Sequence, residues 1–276
     1  MKSEKIWLVT GVSAGLGLVL VKMLLDSGHK VAATSEDGDA LLDAVGAKLE
    51  GQFLPLTVDL ADERNVRRAV DSTIAAFGGV DVVVNNAGVG LQGALDSLSD
   101  AELRGSFDSN VFGMLNVIRA VLPRMRAQRS GHVFNISSIL GFDGGHAQWG
   151  AYSATKFAVS GLTESLAAEA AAWGVRVSLV YPGAMRASPA WRGAQYNTPE
   201  LAARDPQRQE LGGDPVKAAQ ALINAADAQY APLHLFLGRD AFDQARNKIQ
   251  SVQQELARWR EMSVSIGVVD ERRLAA

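Results

Sequence analysis

Short apolar runs alternate with longer amphipathic segments along most of this chain of 276 residues. The short runs are rich in β-branched or aromatic residues, which favours buried strands. The longer segments repeat their apolar residues at helical spacing. Strands separated by helices are typical of a parallel sheet with helices on both faces, so we predict an α/β domain. The predicted strands are residues 6–10, 30–34, 53–58, 80–84, 132–136, 175–181 and 234–237, and the main helices are residues 18–25, 62–77, 115–126, 152–173 and 214–227.

The first predicted strand leads directly into a glycine-rich turn and then a helix. The turn contains Gly11, Gly15 and Gly17, with the spacing Gly-x-x-x-Gly-x-Gly. Glycines let the backbone approach a pyrophosphate, and the amides and dipole at the following helix N-terminus stabilise its charge. A glycine trio alone could be a plain tight turn, but its flanking strand and helix favour a dinucleotide-binding unit. We therefore predict a single Rossmann-type domain with a doubly wound parallel sheet of about seven strands.

A Tyr and a Lys lie four residues apart, at Tyr152 and Lys156, downstream of a serine pair. On a helix these positions share one face, so the ammonium would lie close to the phenol. A positive charge within about 4–6 Å favours phenolate and lowers the pKa of a tyrosine from about 10. Alone, the pair is more often a half-buried Tyr and a solvated Lys on an amphipathic helix. With the upstream serines it predicts a proton-transfer site.

Motifs occur in order along residues 5–238: Thr10-Gly11-x-x-x-Gly15-x-Gly17, Asn85-Asn86-Ala87-Gly88, Asn110, Ser138, Tyr152-x-x-x-Lys156 and Pro182-Gly183. Together they resemble the classical short-chain dehydrogenases/reductases, nearest the branch of 17β-hydroxysteroid dehydrogenases and bacterial ketone reductases. The resemblance implies that Tyr152 is the general acid or base and that Ser138, with Ser137 as competitor, hydrogen-bonds the substrate oxygen. Lys156 would hold the nicotinamide ribose, and Asn110 would order a water from a kinked helix.

The resemblance also implies a nicotinamide cofactor, and we predict NAD in preference to NADP. NADP-dependent relatives tend to carry a Ser or basic residue and an Arg where this chain has Ala14 and Glu36. A carboxylate there would repel a 2′-phosphate and accept hydrogen bonds from a free ribose hydroxyl. Ser35 leaves the NAD signature incomplete, and Ala187 stands where relatives have a cofactor-binding Thr, so Ser188 or the backbone must substitute. The predicted cofactor-binding residues are Gly11, Ser13, Gly15, Leu16, Gly17, Ser35, Glu36, Asp59, Leu60, Asn86, Ala87, Gly88, Tyr152, Lys156, Pro182 and Gly183.

Two of these assignments have plain structural alternatives. Asp59, which in relatives matches an acid that hydrogen-bonds adenine, could instead cap the helix that follows it. The Asn-Asn-Ala-Gly motif could be an ordinary strand-ending turn.

The resemblance places a substrate lid at about residues 184–213 and a roomy apolar and aromatic pocket beside it. We therefore predict a hydrophobic or aromatic secondary alcohol, or its ketone, as the substrate. His146 lies in an insertion between the serines and Tyr152 and is predicted to be a surface or pocket-lining residue. The predicted pocket residues are Leu91, Leu140, Phe142, Trp149, Met185, Trp191 and Tyr196, although all could be plain core, Leu140 and Trp149 above all.

The amino-acid composition excludes several functional classes but indicates no further binding or catalytic site. The net charge of −3 provides no basic field for nucleic acid or an anionic membrane, and zero cysteines exclude disulfides, thiolate metal sites and Cys nucleophiles. We predict no metal site. The first strand begins almost at the N-terminus and no apolar stretch reaches transmembrane length, so we expect a cytoplasmic protein.

The domain boundary, assembly and competing functions complete the predictions. Residues 1–238 would form the catalytic domain, and residues 239–276 a helical extension that is either solvated or packed on the domain or a partner. Apolar faces on helices 115–126 and 152–173 predict a homodimer or homotetramer, unless the C-terminal helix covers them. Two alternatives to a dehydrogenase remain. One is an epimerase or lyase of the same fold that recycles a bound NAD, and the other is a non-catalytic dinucleotide sensor.

Overall fold

The computed structural model describes residues 4–46, 51–185, 195–196 and 212–266, with only the backbone described for the pair 195–196. Seven parallel strands form the main sheet in the order β3-β2-β1-β4-β6-β7-β9, which confirms the predicted doubly wound architecture. Two further strands, β5 and β8, pair in a small separate sheet. The strands are β1 Ile6–Val9, β2 Lys30–Ser35, β3 Phe53–Thr57, β4 Val82–Asn85, β5 Leu91–Gln92, β6 Gly131–Ile136, β7 Val175–Pro182, β8 Gln195–Tyr196 and β9 His234–Leu237.

The predicted helices are present, together with two that the apolar periodicity did not reveal, α2 and α4. Both are short, but each begins at a side-chain cap. Asp37 accepts a hydrogen bond from Ala40 N, and Ser99 forms a capping box with Glu102, a signal that could have located α4 from the sequence. The helices are α1 Gly15–Asp26, α2 Gly38–Val45, α3 Glu63–Phe77, α4 Asp100–Phe107, α5 Gly113–Gln128, α6 Gly150–Ala170, α7 Pro215–Asp227, α8 Arg239–Arg258 and α9 Arg260–Val264.

The core lies in two layers, one on each face of the sheet. Along β1, Trp7 and Val9 face the layer that α1 and α7 cover, while Leu8 faces the layer beneath α3, α5 and α6. This alternation follows from the two-residue repeat of a strand. Burying each large apolar side chain contributes roughly 1.5–3 kcal/mol, so both layers stabilise the sheet.

The C-terminal helix α8 is divided between packing and solvent. Its first turns bury Ala241 and Ala245 against Ile139, Leu140 and Trp149. Residues 249–266 are exposed along their whole length. The extension is therefore part of the domain at its start and solvated beyond it. None of the helices in the described residues is both long enough and apolar enough to span a bilayer.

Candidate active site

A cavity of about 1050 Å³ opens at the carboxyl ends of the seven strands of the main sheet. In a doubly wound sheet this is where ligands bind, because loops from neighbouring strands diverge there. Nearly all of the predicted cofactor-binding residues line it. The exceptions are Gly15 and Gly17, which lie beneath the turn, in α1. No cluster of three or more potential metal-ligating His, Cys, Asp or Glu occurs in the described parts of the chain.

The glycine turn packs closely against the segment that follows β4 because its glycines carry no side chains. Gly11 has a φ of +68°, and a Cβ there would lie 2.5 Å from the Cα of Ala87. A Cβ on Gly17 would lie 2.7 Å from the Asn86 amide nitrogen. Helix α1 then begins without a side-chain cap on its first amides. Uncapped amides with a favourable dipole suit a phosphate, so the chain fits a dinucleotide here.

The end of β4 is tied to this turn by side-chain hydrogen bonds. Asn86 Nδ2 donates to the carbonyl oxygens of Thr10 and Gly11, at 3.1 and 3.0 Å. Thr10 Oγ1 accepts from the amides of Asn86 and Ala87. The Asn-Asn-Ala-Gly motif is thus more than a strand-ending turn, because it positions the glycine turn.

The two candidate serines have different surroundings. Ser137 is buried and its hydroxyl donates to the carbonyl oxygen of Lys156 at 3.0 Å, with Ser160 Oγ 3.2 Å away. Ser138 is half-buried, accepts from Leu140 N at 3.2 Å and lines the cavity together with Tyr152. The geometry therefore favours Ser138 for substrate contact, since Ser137 is occupied in joining β6 to α6.

Tyr152 and Lys156 share one face of α6, as their spacing predicts, with Lys156 Nζ 5.7 Å from the centre of the Tyr152 ring. Burial raises the pKa of Tyr152 to about 12, against a lowering by the Ser138 hydrogen bond. Burial also lowers the pKa of Lys156 to about 8. The expected lowering of the Tyr152 pKa is wrong, because desolvation of the phenolate outweighs the nearby ammonium. Lys156 Nζ donates to Ile136 O at 3.0 Å.

Asn110 lies on the predicted kink, which is a single π-helical turn, Asp108–Phe112, between α4 and α5. Its side chain is buried and accepts from Val89 N at 2.8 Å. Its amide nitrogen donates to Val89 O and to Thr155 Oγ1. A Cβ on Gly88 would lie 3.1 Å from both Asn110 Oδ1 and Lys156 Nζ, so both side chains approach the backbone at this glycine. Asn110 therefore fixes the cavity floor beside Lys156 without lining the cavity itself.

At the far end of the cavity lie Ser35, Glu36 and Asp59. Glu36 and Asp59 are exposed. Asp62, not Asp59, caps α3, accepting hydrogen bonds from Arg64 N and Asn65 N. The capping alternative for Asp59 is therefore wrong.

The predicted substrate residues divide into three groups. Leu140, Trp149 and Met185 line the cavity. Leu91 and Phe142 do not, which corrects the prediction: Leu91 is buried in β5 with Leu98 and Ala151, and Phe142 packs edge-on against Tyr181 and Phe236. Apolar residues in both settings give the same sequence signal. Trp191 and most of the predicted lid lie outside the described residues, as do Ala187, Ser188 and the side chain of Tyr196.

Sequence reasoning missed the contribution of α8 to the cavity. Arg239, Asp240, Asp243 and Gln244 line it, although they were assigned to an extension outside the catalytic domain. Asp240 Oδ2 accepts a hydrogen bond from Ala184 N at 2.8 Å and so ties α8 to the Pro-Gly turn. The signal available was the immediate succession of β9 and α8, because a helix that follows a sheet strand begins at the ligand-binding edge.

Comparison with known proteins agrees with this arrangement. Residues 5–196 match the short chain dehydrogenase family. The oxidoreductase BOA17 of Botryotinia fuckeliana is 31% identical over 95% of this chain and 98% of its own. A short-chain dehydrogenase structure from Streptomyces avermitilis, 38% identical, has a TM-score of 0.87 over 97% of this chain and 100% of that one. A short chain dehydrogenase structure from Burkholderia cenocepacia in complex with NADP, 26% identical, has a TM-score of 0.74 over 93% and 97%. With the family match spanning the glycine turn, Ser138, Tyr152 and Lys156, this chain belongs to the short-chain dehydrogenase family of oxidoreductases.

Proposed function

We propose that this protein interconverts a hydrophobic or aromatic secondary alcohol and its ketone, with Tyr152 as the general acid or base. At the coarser level it is an oxidoreductase that acts on CH–OH or keto groups with a nicotinamide cofactor. The observation that supports the finer proposal is the meeting of Tyr152, Ser138 and Lys156 in the wall of one cavity. The apolar side chains of Leu140, Trp149 and Met185 line the same space.

The protein side of this reaction follows from the protonation states. A bound nicotinamide supplies or accepts the hydride. The carbonyl oxygen of a ketone would lie against Ser138 Oγ and the Tyr152 hydroxyl, because both residues line the same cavity. Because burial raises the pKa of Tyr152 to about 12, the phenol holds its proton at neutral pH and is ready to donate it to the developing alkoxide. For alcohol oxidation the same phenol must first lose that proton, so oxidation is favoured at higher pH.

The predicted preference for NAD is part of the proposal. Glu36 lies exposed beside Ser35 at the end of β2, where the resemblance places the adenosine ribose. Of the described residues that line the cavity, the Lys and Arg are Lys156 and Arg239, on α6 and α8. The strands next to α6 and α8 along the chain are β7 and β9, and neither is adjacent to β2 in the sheet. These two cations are therefore poorly placed to bind a 2′-phosphate. The Burkholderia relative binds NADP. The preference between NAD and NADP therefore has to be measured on this protein itself.

The decisive experiment is a spectrophotometric screen of aromatic and aliphatic ketones and alcohols with both cofactors, using wild type and Tyr152→Phe. Tyr152→Phe should fold and bind cofactor normally while kcat falls by about 10²–10⁴-fold, because the proton donor is lost. Ser138→Ala should also lower kcat. Ser137→Ala is the matched control and should lower thermal stability more than kcat, since Ser137 bonds the α6 backbone.

Two results would contradict the proposal. Retained turnover in Tyr152→Phe would remove the role of the phenol. Tightly retained cofactor with no net turnover on any alcohol or ketone would favour an epimerase or lyase that recycles its NAD.

A further inference from the structure

The carboxylate of Asp240 fills the space that a side chain on Gly183 would need. A Cβ on Gly183 would overlap both carboxylate oxygens of Asp240. Gly183 does not have a positive φ, so backbone strain is not the reason for a glycine at this position. The glycine is needed because the carboxylate packs directly against its Cα.

The same carboxylate also holds the backbone of the Pro-Gly turn, residues 182–184. Asp240 Oδ2 accepts a hydrogen bond from Ala184 N at 2.8 Å. The backbone on either side is fixed as well, since Gly183 N donates to Leu237 O at 2.9 Å and Gly213 N donates to Ala184 O at 2.7 Å. Asp240 therefore adds a side-chain link between the turn after β7 and the first turn of α8.

The start of α8 accommodates this carboxylate. Gly238 has a φ of +113°, and a Cβ there would lie 2.5 Å from Asp240 Oδ1. Asp240 stands in the first turn of the helix, where the helix dipole favours a negative charge. Strands β7 and β9 are neighbours in the sheet. The glycines that follow them, Gly183 and Gly238, thus leave room for one carboxylate between them.

This contact lies in the wall of the ligand cavity. Gly183, Ala184, Gly238 and Asp240 all line it. The resemblance predicts that Pro182 and Gly183 bind the cofactor, so a group that fixes their turn also fixes part of the cofactor site. Asp240 itself lies beyond residues 5–196, the part of the chain that matches the family.

We propose that Asp240 is a positioning residue for the cofactor, which holds the Pro-Gly turn against α8 in the conformation that binds the dinucleotide. This inference rests on the proposed function, because it takes Pro182 and Gly183 as part of the cofactor site. Asp240 acts through its shape and its hydrogen-bond acceptor. An asparagine has the same shape and keeps one acceptor oxygen, so it can replace the aspartate, whereas an alanine cannot.

The first test is a fluorescence titration of NADH and NADPH into wild type, Asp240→Ala and Asp240→Asn. For the cofactor that wild type prefers, Asp240→Ala should weaken binding by about threefold to tenfold, the size of one hydrogen bond. Asp240→Asn should recover most of that loss. In steady-state assays the cofactor KM of Asp240→Ala should rise more than kcat falls, because Ser138 and Tyr152 lie on other elements. Glu255→Ala removes the same charge from the exposed part of α8 and should leave the affinity unchanged.

A double-mutant cycle tests the contact without any cofactor. Gly183→Ala alone should lower the melting temperature, because the new methyl group meets the Asp240 carboxylate. In the Asp240→Ala background the same change should lower it much less, since the carboxylate is gone. An equal loss in both backgrounds would show that Asp240 does not pack on the turn, and would overturn the proposal.

The binding results separate this role from the proposed function. Wild-type cofactor affinity in Asp240→Ala, or an Asp240→Asn variant as weak as Asp240→Ala, would overturn the positioning role and leave the proposed function standing. Normal cofactor binding without turnover of any alcohol or ketone would count against the proposed function and not against Asp240. A wild type that binds neither NADH nor NADPH would overturn both.

Discussion

At the scale of single residues, burial decides the protonation of the site. Lys156 is 3% exposed, and desolvation lowers its pKa from 10.5 to about 8. The side chain is thus mostly charged at neutral pH but held at a cost in folding free energy. An apolar side chain at this position would give a more stable fold. The lysine is therefore retained for its effect on a bound ligand.

Lys156→Met should therefore raise the melting temperature at pH 7 while lowering kcat strongly. Between pH 8 and 10.5 the unfolded wild-type chain binds more protons at this lysine than the folded one, so wild-type stability rises with pH. The advantage of Lys156→Met should shrink across that window. Thermal melts of both proteins from pH 7 to 10 measure it, and a gap that widens with pH would contradict the assignment.

Glu36 carries the second prediction at this scale. Wild type should bind NAD(H) more tightly than NADP(H), and Glu36→Arg should narrow or reverse the difference by about tenfold or more, since a repulsion becomes an ion pair. Glu255→Arg is a control of equal charge change on the exposed part of α8. Fluorescence titrations with both reduced cofactors decide it, and a tenfold wild-type preference for NADP(H) would refute it.

At the scale of elements, the glycine turn shows how close packing creates a binding site. Gly11 combines a left-handed φ with close approach of the Ala87 backbone. Gly28, which ends α1, has a φ of +81° but nothing within 4 Å of the position of a Cβ. Substitutions at Gly28 and Gly11 therefore distinguish the effect of backbone strain from the effect of steric overlap.

Gly28→Ala should lower stability by about 1 kcal/mol, through strain alone, and leave cofactor affinity unchanged. Gly11→Ala should lower stability by the same amount, and further because the segment around Ala87 must be displaced. Its cofactor affinity should also fall by about tenfold or more, roughly 1.4 kcal/mol. Denaturant unfolding and cofactor titration on both variants measure the two effects. Equal cofactor affinity in both would mean that the turn does not contact the cofactor.

At the scale of the whole molecule, an apolar surface remains uncovered on α6 and the π-helical turn packed against it. Phe112, Phe157 and Leu162 are 50%, 44% and 36% exposed. The alternative that the C-terminal helix covers this side has no support, because α8 packs on Ile139, Leu140 and Trp149 and its remainder is solvated. A second copy of the chain would bury these side chains, so a homodimer or homotetramer remains our proposal.

Leu162→Glu should shift the protein toward monomer at micromolar concentration, because a charge at a dimer interface must be desolvated. Leu256→Glu makes the same change on the exposed part of α8, at a residue 62% exposed, and should leave the mass unaltered. Light scattering gives the masses directly. A wild-type mass near 29.3 kDa would exclude the interface, and dissociation by Leu256→Glu alone would move it to the C-terminal helix.

The sequence by itself determined the sheet, the glycine turn and the helical face shared by Tyr152 and Lys156. Each depends on local periodicity and backbone requirements that neighbouring residues impose. Only the tertiary structure showed that Ser137 joins β6 to α6, placed Leu91 and Phe142 outside the cavity, reversed the expected pKa shift of Tyr152 and brought Gln244 into the cavity wall. These depend on burial and on contacts between residues distant in the chain, and a one-dimensional pattern carries neither.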